Sequence, residues 1–279
     1  MIEAFLHYHF LQNAFITGMI IGIVAPLLGS FIVVRRLSLI ADALSHVTLS
    51  GVAASVYLSK TVEAFAALNP LYLGIIFSVI SSILIEKLRT FYKHFQELAI
   101  PIIMSGGIGV GLIFISLANG FNVDLLGYLF GSVSAVSETD LLIIIVIGVV
   151  VLATIVLFYK ELFLLSFDEE FARASGIQAK TIHFLFMILV ALVIAGSMRI
   201  VGVLLVSSLM TLPVAASIRI AKGFKQAIFF SIIFGEIAVI SGLIAAFYLN
   251  MAPGATIVVA SVILLMGSAA YKKVRESWR

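Results

Sequence analysis

The chain has 279 residues, 62% hydrophobic and only 11% charged, with a formal net charge of +3. Because a soluble domain of this size cannot hide so much apolar surface, the composition indicates an all-α polytopic membrane protein, and the continuous apolar runs exclude a β-barrel. Cysteine is absent, which excludes disulfides, thiolate metal sites and cysteine nucleophiles.

Nine apolar runs are candidate membrane spans, and each is near the ~20 residues needed to cross the hydrocarbon layer. The two runs at 181–197 and 200–218 are short, so either could be re-entrant, and we expect about eight or nine transmembrane helices. The nine runs are 12–34, 37–58, 65–85, 98–118, 141–159, 181–197, 200–218, 227–249 and 256–271.

The distribution of lysine and arginine predicts the orientation. If the N-terminus is outside, 15 of the 17 basic residues fall in cytoplasmic segments, and only Lys60 and Arg199 lie outside. This bias favours an N-out, C-in topology with an odd number of spans.

Two glycine motifs predict close helix contacts. The first span carries Gly18 and Gly22, and the fourth carries Gly107 and Gly111, each pair in the G-x-x-x-G spacing. Glycine at this spacing lets two membrane helices approach closely, so we expect ordinary helix packing at both motifs.

The second span carries the most unusual pair of residues, Asp42 and His46. Residues four apart share one helix face, about 6 Å apart along the axis, so one oxygen and one nitrogen ligand can hold a divalent cation. The pair follows Arg36 by 6 and 10 residues, which predicts a depth of roughly 9–15 Å and puts His46 near the midplane. Ionisable residues at such depth are costly and mark ion paths.

The predicted outer segment 119–140 contains acidic residues and an apolar block, residues 125–131. The block predicts either a half-helix or lid that dips into the protein, or a packed surface loop. The acidic residues Asp124, Glu138 and Asp140 could draw cations to the mouth of a path.

Residues 160–180 are predicted to lie inside as a short amphipathic helix. Ser166 and Glu169 fit a capping box, and Gly176 is a plausible stop signal. The helix either rests on lipid or docks a cytoplasmic partner; the acidic triplet Asp168, Glu169, Glu170 favours docking. We expect the contact residues to be Asp168, Glu169, Glu170, Phe171 and Gly176.

Hydroxyl residues and a proline in the seventh span predict a path-lining helix, although a proline kink also occurs for packing alone. The predicted lining residues are Ser45, Ser207, Thr211 and Pro213. Glu236 lies in the eighth span, where it could be a third metal ligand, a carboxylic acid that shares a proton, or a partner for a basic or hydroxyl side chain.

Motifs of several enzyme classes are missing. The sequence lacks the P-loop, the H-E-x-x-H zinc motif and the G-x-S-x-G nucleophile elbow. An enzyme is therefore the weaker hypothesis. Uphill transport would need an ion gradient, as in a proton-coupled secondary transporter, or a separate energising subunit, which the predicted docking helix favours.

Four stretches resemble the membrane permeases of bacterial ABC importers for zinc and manganese, the metal-chelate permease family. They occur in the same order as in the family and span nearly the full length. The stretches are 31–46 (FIVVRRLSLIADALSH) with 51–53, 201–216 (VGVLLVSSLMTLPVAA), 166–176 (SFDEEFARASG) and 252–256 (APGAT).

The resemblance implies a type II importer fold, a single permease domain over 1–279 and a homodimer in the bacterial plasma membrane. Its partners would be a cytoplasmic ABC ATPase, which 160–180 contacts, an extracellular metal-binding protein (often a lipoprotein) and membrane lipid, but no nucleic acid. Asp42 and His46 match the family's metal site. No permanently bound cofactor is expected, and Zn²⁺ or Mn²⁺ would be cargo.

The sequence favours zinc over manganese or iron as that cargo. Histidine plus carboxylate suits zinc, and it also suits manganese if oxygen ligands or water complete the shell. The stretches 8–14 and 40–42 look more like zinc-uptake permeases of Gram-positive bacteria.

Overall fold

The computed structural model describes residues 7–118, 120, 123–203 and 205–277, and these form a helical bundle. Eight of its helices are long and apolar enough to cross a membrane. They are α1 His9–Val34, α2 Leu39–Thr61, α3 Pro70–Phe91, α4 Ala99–Leu117, α6 Glu138–Leu157, α9 Ala179–Val201, α11 Phe224–Leu249 and α12 Pro253–Ser277; the shorter helices are α5 Val123–Phe130, α7 Tyr159–Phe167, α8 Glu169–Ala174 and α10 Val206–Ile218. The all-α prediction is confirmed.

The two runs predicted to be short differ in the structure. Helix α9 is a full 23 residues, so its predicted shortness is wrong. Helix α10 has only 13 residues, or about 20 Å, against a hydrocarbon layer of about 30 Å. The break arises at Gly202, whose φ of 82° ends α9. Hydropathy does not reveal this break, because the residues on both sides of Gly202 are apolar. An N-out, C-in orientation needs an odd number of crossings, so α10 would have to complete a ninth crossing beside the eight long helices. This orientation stays a prediction.

Helices α1, α2 and α9 form the centre of the bundle. In α2, 83% of the most apolar window is buried within the chain, compared with 22% in α12. Membrane helices that are covered by protein can carry polar groups, whereas the outer helices must present apolar side chains to lipid. The ionisable residues of α2 therefore lie on the helix that the bundle best separates from lipid.

Both glycine motifs lie at close helix contacts, as predicted. An added Cβ at Gly18 would meet Leu243 of α11 at 2.8 Å, and one at Gly111 would meet Ser50 of α2 at 2.8 Å. Gly107 faces Val47 still more closely, and its carbonyl oxygen accepts a 2.5 Å hydrogen bond from the Ser50 hydroxyl. Helix α4 thus packs directly against the helix that carries Asp42 and His46.

Gly107→Val is expected to destabilise the protein and reduce transport. Its side chain would collide with Val47, next to His46, and overpacking of this kind costs about 1–3 kcal/mol. Gly109→Val is the matched control, because an added Cβ there meets nothing within 4 Å. Melting temperature in detergent and metal uptake should fall for the first variant alone; equal losses in both would show that α4 does not position α2.

The predicted outer segment contains a helix that packs into the bundle. Leu125 and Tyr128 of α5 are buried, at 0% and 2% exposure. The Arg199 side chain secures this helix, because its Nε donates to the Ala135 carbonyl at 2.9 Å and its guanidinium bonds the Tyr128 hydroxyl. The prediction of a half-helix that enters the protein is therefore correct, while the side chain of Asp124 lies outside the described residues.

Candidate metal site

Helix α2 is covered on almost every side. Between residues 40 and 56, every residue is buried except Asp42 and His46, which are half-exposed. Leu39, one turn earlier, is 63% exposed. Positions 39, 42 and 46 are spaced by three and four residues, so they lie on one helix face and form one open stripe. The two predicted ligands therefore share the only part of this stretch that the chain leaves uncovered.

Neither ligand side chain is engaged elsewhere. Among the described residues, the Asp42 carboxylate and the His46 ring take part in no hydrogen bond or ion pair. Metal ligands must present free lone pairs, and His46 must be neutral at the coordinating nitrogen. The pair is thus available to an ion that approaches along the open stripe.

The pair lies in the first half of α2. Helix α2 begins at Leu39 rather than at residue 37, so His46 lies about 10 Å along its axis. The middle of this 23-residue helix is residue 50, so His46 lies four residues, or about 6 Å, short of it. The turn between the two helices, which hydropathy does not reveal, accounts for the later start of α2, and the depth of the pair in the membrane stays a prediction.

Glu236 does not join the pair. Within the part of the chain that the structure describes, no three His, Cys, Asp or Glu side chains are grouped closely enough to hold a metal ion. Glu236 instead packs at the contact of α11 with α1, where an added Cβ on Gly22 would meet its Oε1 at 2.6 Å. Its Oε1 is buried and has no hydrogen-bond partner among the described residues.

The four predicted lining residues divide into two groups. Ser45 is 1% exposed and its Oγ donates to the Ala41 carbonyl at 2.7 Å, and Pro213 is buried as well, so neither faces an open path. Ser207 and Thr211 are half-exposed on α10, which packs against α2. Helical geometry explains the difference, since Ser45 lies about 100° around α2 from His46.

The predicted docking segment forms α8, but with a different cap. Ser166 lies inside α7, and the N-cap is Asp168, whose Oδ1 accepts from the Phe171 amide at 2.8 Å. The Ser166 capping box is therefore wrong, because α7 continues through Phe167. Gly176, with φ 84°, ends α8 as predicted, and its amide donates to the Arg173 carbonyl at 3.1 Å.

Helix α8 presents both apolar and charged groups. Ala172 is fully buried against the bundle, whereas Phe171 is 57% exposed on the other side. Glu169 forms a 2.5 Å ion pair with Arg173 on the surface of α8, and Glu170 is exposed. This helix is thus anchored at one face and open at the other, as a docking helix requires.

A charged cavity links α8 to the turn before α2. Its volume is about 1020 Å³, and Arg35, Glu86, Arg89 and Glu169 are among its lining residues. Burial lowers the pKa of the Arg35 guanidinium, and the Glu169 carboxylate opposes that shift. Since Arg35 lies in the turn before α2, this cavity brings the Glu169 carboxylate of α8 near the base of the helix that holds Asp42.

Sequence reasoning missed an ion-paired network at the opposite end. Asp140 is 2% exposed, accepts from Asn69 at 2.8 Å and lies 3.3 Å from the Arg199 Nε. The proposed role of Asp140 in drawing cations is therefore wrong, although Glu138 is exposed. The sequence feature that could have revealed this network is Arg199, one of the two basic residues predicted to lie outside. It departs from the distribution of the other basic residues because it pairs inside the protein.

Comparison with known proteins gives consistent matches over nearly the whole chain. The family model described as the ABC 3 transport family matches residues 7–272. The manganese import system permease protein ScaB of Streptococcus gordonii is 37% identical over 261 residues, with 94% of this chain and 91% of ScaB covered. The high-affinity zinc uptake system membrane protein ZnuB of Haemophilus influenzae is 30% identical, covering 93% and 96%.

A solved structure shares the fold. PsaBC from Streptococcus pneumoniae, in complex with Fab, superposes with a TM-score of 0.82 at 35% identity. The match covers 96% of this chain and 93% of that chain. At this similarity the arrangement of helices described above is shared with an experimentally determined protein.

Proposed function

The chain belongs to the ABC 3 transport family, and from this premise we propose that it passes a divalent transition-metal ion, most favourably Zn²⁺, along a path past Asp42 and His46. It is an ABC metal-importer permease and a multi-pass protein of the bacterial plasma membrane. Because the family consists of ABC transporters, we no longer keep the alternative of a proton-coupled secondary transporter. A permease is a transport component, so we assign no catalytic step to this chain.

One observation carries the assignment of the path. Asp42 and His46 are the only uncovered residues in the stretch from 40 to 56 of an otherwise buried membrane helix. An ionisable pair facing lipid would be costly, so its open face is better explained by an ion path or by a second copy of the chain. The half-exposed Ser207 and Thr211 on neighbouring α10 support the same path.

The pair leaves most of the coordination shell open. Zinc takes four ligands and manganese commonly six, so two side chains must be supplemented by water or by groups of a second protomer. A shell completed in this way binds less tightly than a closed structural site. It therefore suits an ion that has to leave again on the cytoplasmic side.

The proposed complex has two such permeases, each a single transmembrane domain over 1–279. A cytoplasmic ABC ATPase would contact the 160–180 segment through α8, and an extracellular metal-binding protein would deliver the ion. Because the chain lacks a P-loop, energy must come from that ATPase. Uptake into reconstituted vesicles should need the ATPase and hydrolysable ATP; uptake without them would refute this assembly.

Competition between metals tests the cargo. We expect excess Zn²⁺ to block uptake of radioactive zinc at least tenfold more effectively than excess Mn²⁺, because imidazole is a favoured zinc ligand. Manganese is the second candidate, since the manganese-named ScaB is more similar to this chain than the zinc-named ZnuB. Selective competition by Mn²⁺ would assign manganese instead.

A further inference from the structure

A surface groove lies between α7 and the first turn of α11. Its volume is about 730 Å³, within the roughly 300–1,000 Å³ typical of ligand sites. Tyr159, Phe163, Phe167 and Phe224 are among its lining residues. The ring centroid of Phe224 lies 5.5 Å from that of Phe163 and 5.4 Å from that of Phe167. These contacts join the rings of α7 and α11 into one apolar, aromatic surface.

The rim of this groove carries positive charge. Lys160, Lys222 and Lys225 line it, and its lining includes no carboxylate. Among the described residues none of the three lysines forms an ion pair. The Lys225 ammonium lies 6.0 Å from the centroid of the Tyr159 ring. Three uncompensated cations beside an apolar surface are complementary to an amphipathic anion.

The position of the groove favours a lipid. Helix α7 follows the membrane helix α6 after Phe158, and α11 is itself a membrane helix that begins at Phe224. The groove is thus close to the ends of spans, where lipid headgroups lie. It is on the side of the bundle that carries Arg35, Arg36 and most other basic residues. Basic pockets between membrane helices on the cytoplasmic side bind anionic lipid headgroups.

We propose that this groove binds one anionic phospholipid, whose acyl chain lies against the aromatic surface while its phosphate bonds Lys160, Lys222 and Lys225. The bound lipid would lie along the junction of α7 and α11. Because α7 leads directly into α8, such a lipid would also brace the segment that meets the ATPase. The inference depends on the membrane location and not on the identity of the metal.

Lipid retention gives the first test. The full chain with its ATPase is placed in nanodiscs of equal phosphatidylglycerol and phosphatidylcholine, extracted in mild detergent, and its retained lipid is measured by mass spectrometry. The triple variant Lys160→Gln, Lys222→Gln, Lys225→Gln should lose phosphatidylglycerol about tenfold or more relative to wild type. The control Lys87→Gln, Lys93→Gln, Lys180→Gln removes the same charge elsewhere and should retain it.

A fluorescence probe gives the second test and does not depend on lipid surviving extraction. The chain's single tryptophan, Trp278, is replaced by Phe and Phe163→Trp places one tryptophan in the groove. Phosphatidylglycerol with brominated chains should quench this residue more strongly than brominated phosphatidylcholine. The preference should disappear when the three groove lysines are replaced by glutamine.

Two outcomes would overturn the proposal. Equal loss of phosphatidylglycerol from the groove and control variants would show a diffuse charge effect rather than a site. Equal quenching by the two lipids, together with loss of ATPase co-purification in the groove variant alone, would assign the groove to the ATPase.

Discussion

Alanine in place of Asp42 or His46 is expected to abolish metal uptake. Loss of even an outer-shell partner lowers metal affinity about 10–100-fold, so loss of one of only two side-chain ligands should reduce uptake at least about 100-fold. Each residue is half-exposed and unpaired among the described residues, so the free energy of unfolding should change by no more than about 0.5 kcal/mol. Radioactive metal uptake and thermal melting measure the two effects.

Ser59→Ala is the control on the same helix. Ser59 is half-exposed on α2, and its hydroxyl donates only to the Val56 carbonyl of its own helix. We expect this variant to transport normally, and Asp42→Glu to restore part of the activity that Asp42→Ala loses. Near-normal uptake by both alanine variants would remove α2 from the ion path, whereas a joint loss of uptake and stability would indicate a structural role.

Phe171→Asp is expected to uncouple the permease from its ATPase. Phe171 is 57% exposed on α8, and a buried aromatic anchor of an interface typically contributes about 2 kcal/mol or more, roughly a 30-fold change in affinity. Replacing it by a carboxylate beside Glu169 and Glu170 should weaken ATPase binding at least that much. Co-purification of the ATPase and metal-stimulated ATP hydrolysis report this change.

Phe95→Asp is the matched control for this variant. Phe95 is 60% exposed on the same predicted side, next to the short 3₁₀ turn before α4. It should bind the ATPase as wild type does. If Phe95→Asp weakens binding as strongly as Phe171→Asp, the ATPase does not dock specifically on α8; if neither does, the docking role is wrong.

Composition and residue spacing predict most of the fold. Long apolar runs form helices in a membrane because each backbone polar group must be satisfied within its own segment. Helical spacing puts Asp42 and His46 on one face. The G-x-x-x-G spacing likewise locates the contacts at Gly18 and Gly111. These features depend only on residues that are near one another in the sequence.

Features set by contacts between distant residues were not predictable in the same way. Asp140 looked like an exposed acid of an outer loop, but Arg199 and Asn69, each at least 59 positions away, enclose it. Ser166 resembled a cap because its local pattern fits one, yet α7 continues past it and leaves Asp168 to cap α8. Glu236 was a possible ligand until the packing of α11 on α1 separated it from the pair.

The sequence alone thus determined the membrane location, the helices, the shared face of Asp42 and His46 and the family resemblance, because all of these follow from local composition and order. Only the tertiary structure decided that, between residues 39 and 56, the open face of α2 is confined to Leu39, Asp42 and His46, since burial depends on which helices surround α2. It also decided that no third ligand joins them among the described residues. Local spacing fixes which side chains share a face, whereas packing fixes what that face can reach.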